Sequence, residues 1–288
     1  MDADNVASCM QLALLLELSA TPKPGLVDRE SRRRGFECFL ASIASLYPHF
    51  REAVLNNRAV GTIIERACKT MLSWQHEGNT HLGAILLLTP IAAAAGKVKK
   101  IDSLRTALKE TLLNMDYRDT ISIFRAINLV RPAGLKRVAY LDVRKPETEK
   151  RIVQEKIAVV DAFRPYSHFD AIAHEYATNY QATYAFGYSF LKKQLSSGIT
   201  VNEAAVMTFL NILACFPDTN IARRNGYKAS ILASKYARKV LRERNSRRRG
   251  ELLTWLVKVF SKSGWRPAST ADILAASFSI LLLEGWRP

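Results

Sequence analysis

Cysteine is scarce in these 288 residues and never closely spaced: Cys9, Cys38, Cys68 and Cys215 lie far apart, with no CxxC pair. That spacing argues against a structural zinc site or a disulfide framework and predicts buried thiols in a reducing cytoplasm. Long apolar runs are lacking too. The longest, residues 84–95, contains Thr89 and Pro90 and is too short to span a bilayer, which takes about 20 residues. The N-terminus is acidic at Asp2 and Asp4, unlike a basic targeting segment. A soluble, cytoplasmic protein with no membrane partner is expected. Acidic charge is also short: 26 Asp and Glu stand against 42 Lys and Arg, a formal net charge of +16. Such an excess fits an anionic partner, whether polyphosphate nucleotide, nucleic acid or anionic lipid, and equally a solvated basic surface. Finally, no stretch alternates apolar and polar residues with period two between hairpin turns, and no repeat is found. With 48% hydrophobic residues, the chain reads as an all-α bundle of roughly ten to twelve helices in one domain over residues 1–288.

The stretch 65–96, ERACKTMLSWQHEGNTHLGAILLLTPIAAAAG, is its centre. A helix carrying Glu65 runs into a short polar turn, and a second, apolar helix follows. In the turn, Thr80 is placed to cap the second helix, His81 to stand in its first turn, and Gly83 to let another group approach unpaired backbone N–H groups. An anion-binding corner and an ordinary capped turn both fit that pattern.

Elsewhere the spacing predicts helices over 5–20, 36–47, 58–76, 103–114, 119–128, 168–193, 202–216, 230–244, 251–263 and 273–283. Between the first two lies TPKPGLVD, in which Pro22 and Pro24 exclude helix and Lys23 and an exposed Asp28 follow one another closely. The run Arg32, Arg33, Arg34 reads as a solvated face. Residues 131–149 read as a loop or linker. The helix 168–193 carries Tyr176, Tyr180, Tyr184 and Tyr188 at four-residue spacing, one stripe that suits a packed seam better than base stacking. Asp170, His174 and Glu175 form only a weak metal pattern. DTNIARRNG, 218–226, sets hard oxygen donors Asp218 and Asn220 beside Arg223 and Arg224, a set suited to magnesium and phosphate or, more simply, to a capped helix start. STADIL, 269–274, opens the last helix with Asp272.

Taken in order, TPKPGLVD, NTHLG, DTNIARRNG and STADIL resemble the motifs of the triphosphoribosyl-dephospho-coenzyme A synthase family over nearly the whole chain. The first string is the most specific. The resemblance implies an all-helical enzyme that takes ATP and 3′-dephospho-coenzyme A, releases adenine, and forms the triphosphoribosylated precursor of a citrate lyase or malonate decarboxylase prosthetic group. The chain departs from the family in three places. RRRGFECF replaces a GAHxDM string, Leu82 replaces a lysine, and ARRNG replaces SRGG. A divergent member is expected, with dephospho-CoA or a related acceptor as partner.

Displacing adenine from a ribose calls for carboxylates at the reacting centre and cations on the triphosphate. Asp28, Glu65, Asp218 and Asp272 are the catalytic candidates. Lys23, Asn79, Thr80, His81, Asn220, Arg223 and Arg224 are the substrate-binding candidates, and Glu65, Asp218 and Asn220 the magnesium candidates. All are expected around one cleft. The alternatives are a basic nucleic-acid-binding helical protein, with the arginine triples and the tyrosine stripe on phosphate and bases, or a catalytically silent relative of the family.

Overall fold

The computed structural model describes residues 1–30, 35–135 and 137–288. Arg32, Arg33 and Arg34 lie outside them. Among the described residues there are fifteen α-helices and no strand: α1 (Ala3–Ser19), α2 (Phe36–Leu55), α3 (Val60–Ser73), α4 (Leu82–Gly96), α5 (Leu104–Asn114), α6 (Tyr117–Val130), α7 (Pro146–Glu155), α8 (Val159–Phe163), α9 (Ala171–Thr178), α10 (Ser189–Ser196), α11 (Val201–Cys215), α12 (Thr219–Asn225), α13 (Tyr227–Arg242), α14 (Ser246–Ser263) and α15 (Ala268–Leu283). The class is the all-α class that the sequence predicts. The count exceeds ten to twelve because short helices form within the expected loops and the long tyrosine helix is broken.

Two helices carry the centre. In α4 every residue from Ala84 to Ala95 is buried, and α15 is buried from Ile273 to Leu283, as uniformly apolar helices require. They pack on each other, and α4 also touches α1, α2, α3, α5 and α9. The outer helices are amphipathic. α14 buries only Leu256 and Phe260, and Arg247, Arg248 and Arg249 stand in its first turn, behind the Asn245 cap.

Proline lies inside α2 and α4, and each removes the N–H that would satisfy the carbonyl four residues earlier. Side chains take over. Gln11 on α1 donates to Ala44 O, the carbonyl left by Pro48, at 3.3 Å and to Ile43 O at 3.0 Å. Tyr176 donates to Leu86 O, the carbonyl left by Pro90, at 2.8 Å, and Tyr180 to Leu87 O at 2.7 Å.

Tyr176 and Tyr180 thus pack in a seam with their hydroxyls on α4, as expected, but the helix that carries the stripe is not continuous. Asn179 and Tyr180 adopt φ of 54° and 59°, which ends α9. The buried Glu175 carboxylate then accepts the backbone N–H groups of Ala182 and Thr183, both at 2.9 Å, and a π-helical turn, Thr183–Tyr188, leads into α10. The four phenols therefore share no single face. Tyr184 lies under the Arg105 guanidinium, 4.5 Å from its centroid, and Tyr188 donates to Glu284 at 2.8 Å. The thiols also differ from expectation: Cys9 and Cys68 are buried, Cys38 is half-buried and Cys215 exposed. No single helix is long and apolar enough to cross a membrane.

Candidate functional site

Four loops converge where α1 ends and α4, α12 and α15 begin, and they enclose a cavity of about 1200 Å³. The first is TPKPGLVD. Lys23 turns inward and its ammonium pairs with the Glu17 carboxylate, and it also donates to Glu17 O at 2.6 Å. Asp28, expected to be exposed, is buried; its Oδ2 accepts Lys23 N at 3.0 Å and its Oδ1 accepts Glu30 N at 3.1 Å. A carboxylate spent on its own loop's N–H groups fixes the loop's course. Gly25 has φ 82°, and a Cβ there would stand 2.1 Å from Trp265 O, so the loop seats directly on the strand of chain leading into α15.

The second loop is the 77–81 turn. Asn79, and not Thr80, caps α4, its Oδ1 accepting Leu82 N at 3.1 Å. Thr80 donates instead to Ser42 Oγ on α2 at 2.9 Å, and Ser42 Oγ lies 2.8 Å from His81 Nδ1. His81 precedes the helix rather than standing in its first turn. It is buried against the edge of Phe39, and burial, with Lys23 nearby, pushes its pKa down to about 3. Its Nε2 meets no hydrogen-bond partner among the described residues, and His81 lines the cavity.

The third is 217–220. Asp218 is the N-cap of α12: Oδ1 accepts Ile221 N at 2.9 Å, and Oδ2 accepts Thr270 N at 2.8 Å and Thr270 Oγ1 at 2.9 Å. It lies behind the cavity wall and locks the start of α15. Asn220 donates to Arg266 O at 2.7 Å. Arg223, which lines the cavity, pairs with Asp170 at 2.5 Å and donates to Asn220 at 3.4 Å; Asp170 also caps α9 through Ile172 N and Ala173 N.

With α15 so fixed, Asp272 reaches the cavity floor beside the N-terminus of α4. The fit is close: a Cβ on Gly83 would lie 2.0 Å from Asp272 Oδ2. Asp272 is half-buried and lines the cavity. Desolvation, then Glu17 and Asp218, raise its pKa well above the usual carboxylate range, against the Arg223 charge and the Ala84 N–H.

The fourth loop, of which residues 131–135 and 137–145 are described, lies on the opposite side of the cavity. It forms most of the expected loop or linker 131–149, whose last residues open α7 instead, and here Arg131, Leu135, Arg137, Val138 and Leu141 line the wall with Phe124 and Ile127 of α6 and Phe163 of α8. Asp142 is held well below the usual carboxylate range by the Arg144 guanidinium, at 2.7 Å. Arg131, Arg137, Arg224 and Arg266 line the cavity yet are exposed, so they ring its mouth, while Lys23, His81 and Asp272 form its floor.

Of the residues singled out from sequence, Lys23, Asn79, Thr80, His81, Asn220, Arg223, Arg224 and Asp272 line this one cavity. Asp28 and Asp218 sit behind it as supports. Glu65 is elsewhere: it pairs with Lys69 one turn along α3 at 2.7 Å and does not line the cavity. Glu65, Asp218 and Asn220 are thus not gathered as magnesium ligands. Asp218 already accepts three hydrogen bonds, and no group of three His, Cys, Asp or Glu suited to a metal occurs among the described residues. The residues present do not fit a protein-held metal. Glu17, Ser42, Arg131, Arg137 and Arg266 were missed as parts of the site, and Asp170, read only in a weak metal pattern, is instead the partner of Arg223. Of the missed residues Glu17 left a signal, a carboxylate on the apolar face of α1.

Comparison with known proteins gives a concordant picture. The family model described as ATP:dephospho-CoA triphosphoribosyl transferase matches residues 3–288. The 2-(5″-triphosphoribosyl)-3′-dephosphocoenzyme-A synthase of Pectobacterium atrosepticum is 23% identical, over 92% of this chain and 85% of that protein. A protein of Pseudomonas fluorescens (strain Pf0-1), provisionally given the same name, is 26% identical over 98% and 92%. A crystal structure from Archaeoglobus fulgidus, of a protein assigned as a triphosphoribosyl-dephospho-CoA synthase, is similar with a TM-score of 0.67 and 27% identity, covering 86% of this chain and 100% of that one.

Proposed function

This chain belongs to the ATP:dephospho-CoA triphosphoribosyl transferase family, and from that premise we propose that it displaces adenine from ATP and moves the 5-triphosphoribosyl group onto 3′-dephospho-CoA or a closely related acceptor. The observation that carries the reading is the polarity of the cavity, with arginines at its mouth and a half-buried carboxylate, Asp272, on its floor. At about 1200 Å³ the cavity exceeds the roughly 300–1,000 Å³ of a site for one small molecule, as two nucleotide substrates require.

In the reaction an acceptor hydroxyl oxygen bonds to the ribose C1′ while the bond from C1′ to adenine breaks. The hydroxyl proton passes to a base, and adenine leaves with the bonding electron pair and takes a proton from solvent; the base returns its proton to solvent, so the net reaction moves the hydroxyl proton to adenine. Asp272 serves as that base. Burial makes it more basic than a solvated carboxylate, which strengthens it as a proton acceptor, and in its ionised form its charge stabilises the oxocarbenium-like carbon. Arg131, Arg137, Arg223, Arg224 and Arg266 take the phosphates, guanidinium being suited to paired oxygens. Asp170 and Asn220 aim Arg223. The apolar wall formed by Phe124, Ile127, Val130 and Phe163 accommodates the uncharged parts of the acceptor. Lys23 is engaged by Glu17 and shapes the floor without meeting phosphate. Magnesium enters as part of the ATP complex, a substrate-borne ion.

The test is adenine release, followed by chromatography, from ATP, Mg²⁺ and dephospho-CoA. Wild-type protein should release adenine in step with acceptor consumption. Asp272→Asn should slow this by about 10²- to 10⁴-fold while leaving the thermal transition in place. No adenine with any dephospho-CoA-like acceptor, or an unimpaired Asp272→Asn, would overturn the reading.

A further inference from the structure

We propose that Ser42 and Thr80 fix His81 as the neutral tautomer with its proton on Nε2, so that the ring donates to an uncharged acceptor atom, a sugar hydroxyl oxygen or purine ring nitrogen, of the nucleotide whose phosphates lie at the arginine mouth. The inference rests on the nucleotide-binding reading above and assigns the orientation of the ligand.

Proton counting sets the tautomer. Thr80 Oγ1 donates to Ser42 Oγ at 2.9 Å, so Ser42 has its own hydrogen left to give, and His81 Nδ1 stands 2.8 Å away. If Nδ1 carried the proton instead, Ser42 Oγ would accept twice and its buried hydrogen would have no acceptor among the described residues, at the cost of an unsatisfied buried donor. Ser42 is fully buried and His81 is 3% exposed, so water does not relieve that cost. With Nδ1 accepting, Nε2–H is the donor. Nε2 is buried, has no partner among the described residues, and belongs to a residue lining the cavity.

The surroundings choose the acceptor. Glu17 and Asp272 share the floor with His81, and α4's N-terminus is already occupied by Asp272. A phosphate there would face two carboxylates, with Lys23 already paired to Glu17 and Arg223 to Asp170. The exposed arginines at the mouth offer the phosphates far better company. The nucleoside end therefore points inward, toward Asp272, and the triphosphate outward. Ser42 and Thr80 act only through His81 and are positioning residues.

The test has two parts. In ¹⁵N-histidine-labelled free protein, long-range ¹H–¹⁵N spectra, assigned with His81→Phe, should show the proton of His81 on Nε2. Ser42→Ala and Thr80→Val should mix the tautomers, and Thr80→Ser should keep the wild-type pattern. A proton on Nδ1 in the wild type would overturn the proposal without touching the enzymatic reading. In calorimetry, His81→Phe and Ser42→Ala should weaken ATP and adenosine roughly two- to tenfold, one neutral hydrogen bond's worth, and leave inorganic tripolyphosphate unchanged. The loss should vanish for the one analogue, 2′-deoxy-, 3′-deoxy-, 3-deaza- or 7-deazaadenosine, that lacks the contacted atom. Equal weakening of tripolyphosphate, or no effect on adenosine, would overturn the proposal. Wild-type protein that binds neither ATP nor adenosine would overturn the functional reading and the ligand orientation together.

Discussion

Gly83→Ala tests the placement of Asp272 without altering a single ionisable group. The added Cβ would stand 2.0 Å from Asp272 Oδ2 and 2.5 Å from its Cγ, where 3.4 Å is ordinary contact. The carboxylate must therefore move by about 1.4 Å, since a helical backbone packed on both sides yields less readily than a side-chain end. A displacement near 1 Å at a reacting group costs about 10²-fold in rate, equivalent to about 2.7 kcal/mol of transition-state stabilisation. Stability should move the other way or hardly at all, because alanine is favoured over glycine inside a helix by about 1 kcal/mol. Single-turnover adenine release should thus fall about a hundredfold while the melting temperature is kept and ATP still binds. Wild-type turnover in a folded Gly83→Ala protein would show that the position of Asp272 does not matter, and the proposed base would be wrong.

The other expectations concern residues around the floor. Asp218→Ala leaves Ile221 N, Thr270 N and Thr270 Oγ1 without their acceptor and should cost about 2–4 kcal/mol in denaturant unfolding; unchanged stability coupled to lost magnesium dependence would instead restore it as a metal ligand. Glu65→Gln should change stability by less than about 0.5 kcal/mol, the scale of an (i, i+4) pair, and leave adenine release untouched, so any large rate loss would return Glu65 to the site. His81 is depressed to about pKa 3 by burial, so between the ordinary histidine value and pH 3 the unfolded chain binds a proton that the folded chain refuses. Stability should therefore fall as pH drops through that window, by up to about 1.4 kcal/mol per pH unit more steeply in wild type than in His81→Phe; equal slopes in parallel urea titrations of the two proteins from pH 6.5 to 4 would refute a neutral buried His81.

Local rules made the gathering of most motif residues legible. TPKPGLVD, NTHLG, DTNIARRNG and STADIL sit at helix starts or in constrained turns, where chain direction is fixed by prolines, caps and a glycine. What they left open was which donors would be spent on the chain itself. Asp28 and Asp218 look like free carboxylates in a string of letters, yet each is consumed by backbone N–H groups a few residues away or across the site. Glu65 failed for another reason. Helical spacing gives which residues share a face, and Glu65 flanks the buried stripe of Ile64, Ala67, Cys68 and Met71, but nothing local says whether that flank meets the cavity or α6. The tyrosines pack in a seam as read, but their single stripe was lost because four-residue spacing assumes an unbroken helix. Two left-handed residues and the Glu175 carboxylate, which takes over two N–H groups, interrupt it. Arg131, Arg137 and Arg266 carried no pattern at all, because their relation to the motifs exists only after the chain closes.

The prolines in the central helices show how such long-range closure is enforced. A buried carbonyl abandoned by a proline costs about 1–3 kcal/mol unless another donor finds it; Leu86 O, behind Pro90, makes that demand, whereas Pro48 and Ala44 are exposed and water also reaches Ala44 O. Pro48 is met by Gln11, which ties α1 to α2, and Pro90 is met by Tyr176, which ties α9 to α4. α1 ends at Glu17 and Lys23's loop, α2 carries Ser42, α4 begins at His81, and α9 is capped by Asp170, the partner of Arg223. Leu86, whose carbonyl Tyr176 holds, itself lines the cavity. The two prolines thus help register four helices on which the floor and one side of the mouth depend, and at Pro90 the buried hydrogen bond from Tyr176 specifies a geometry that nonpolar packing alone would leave free to slide.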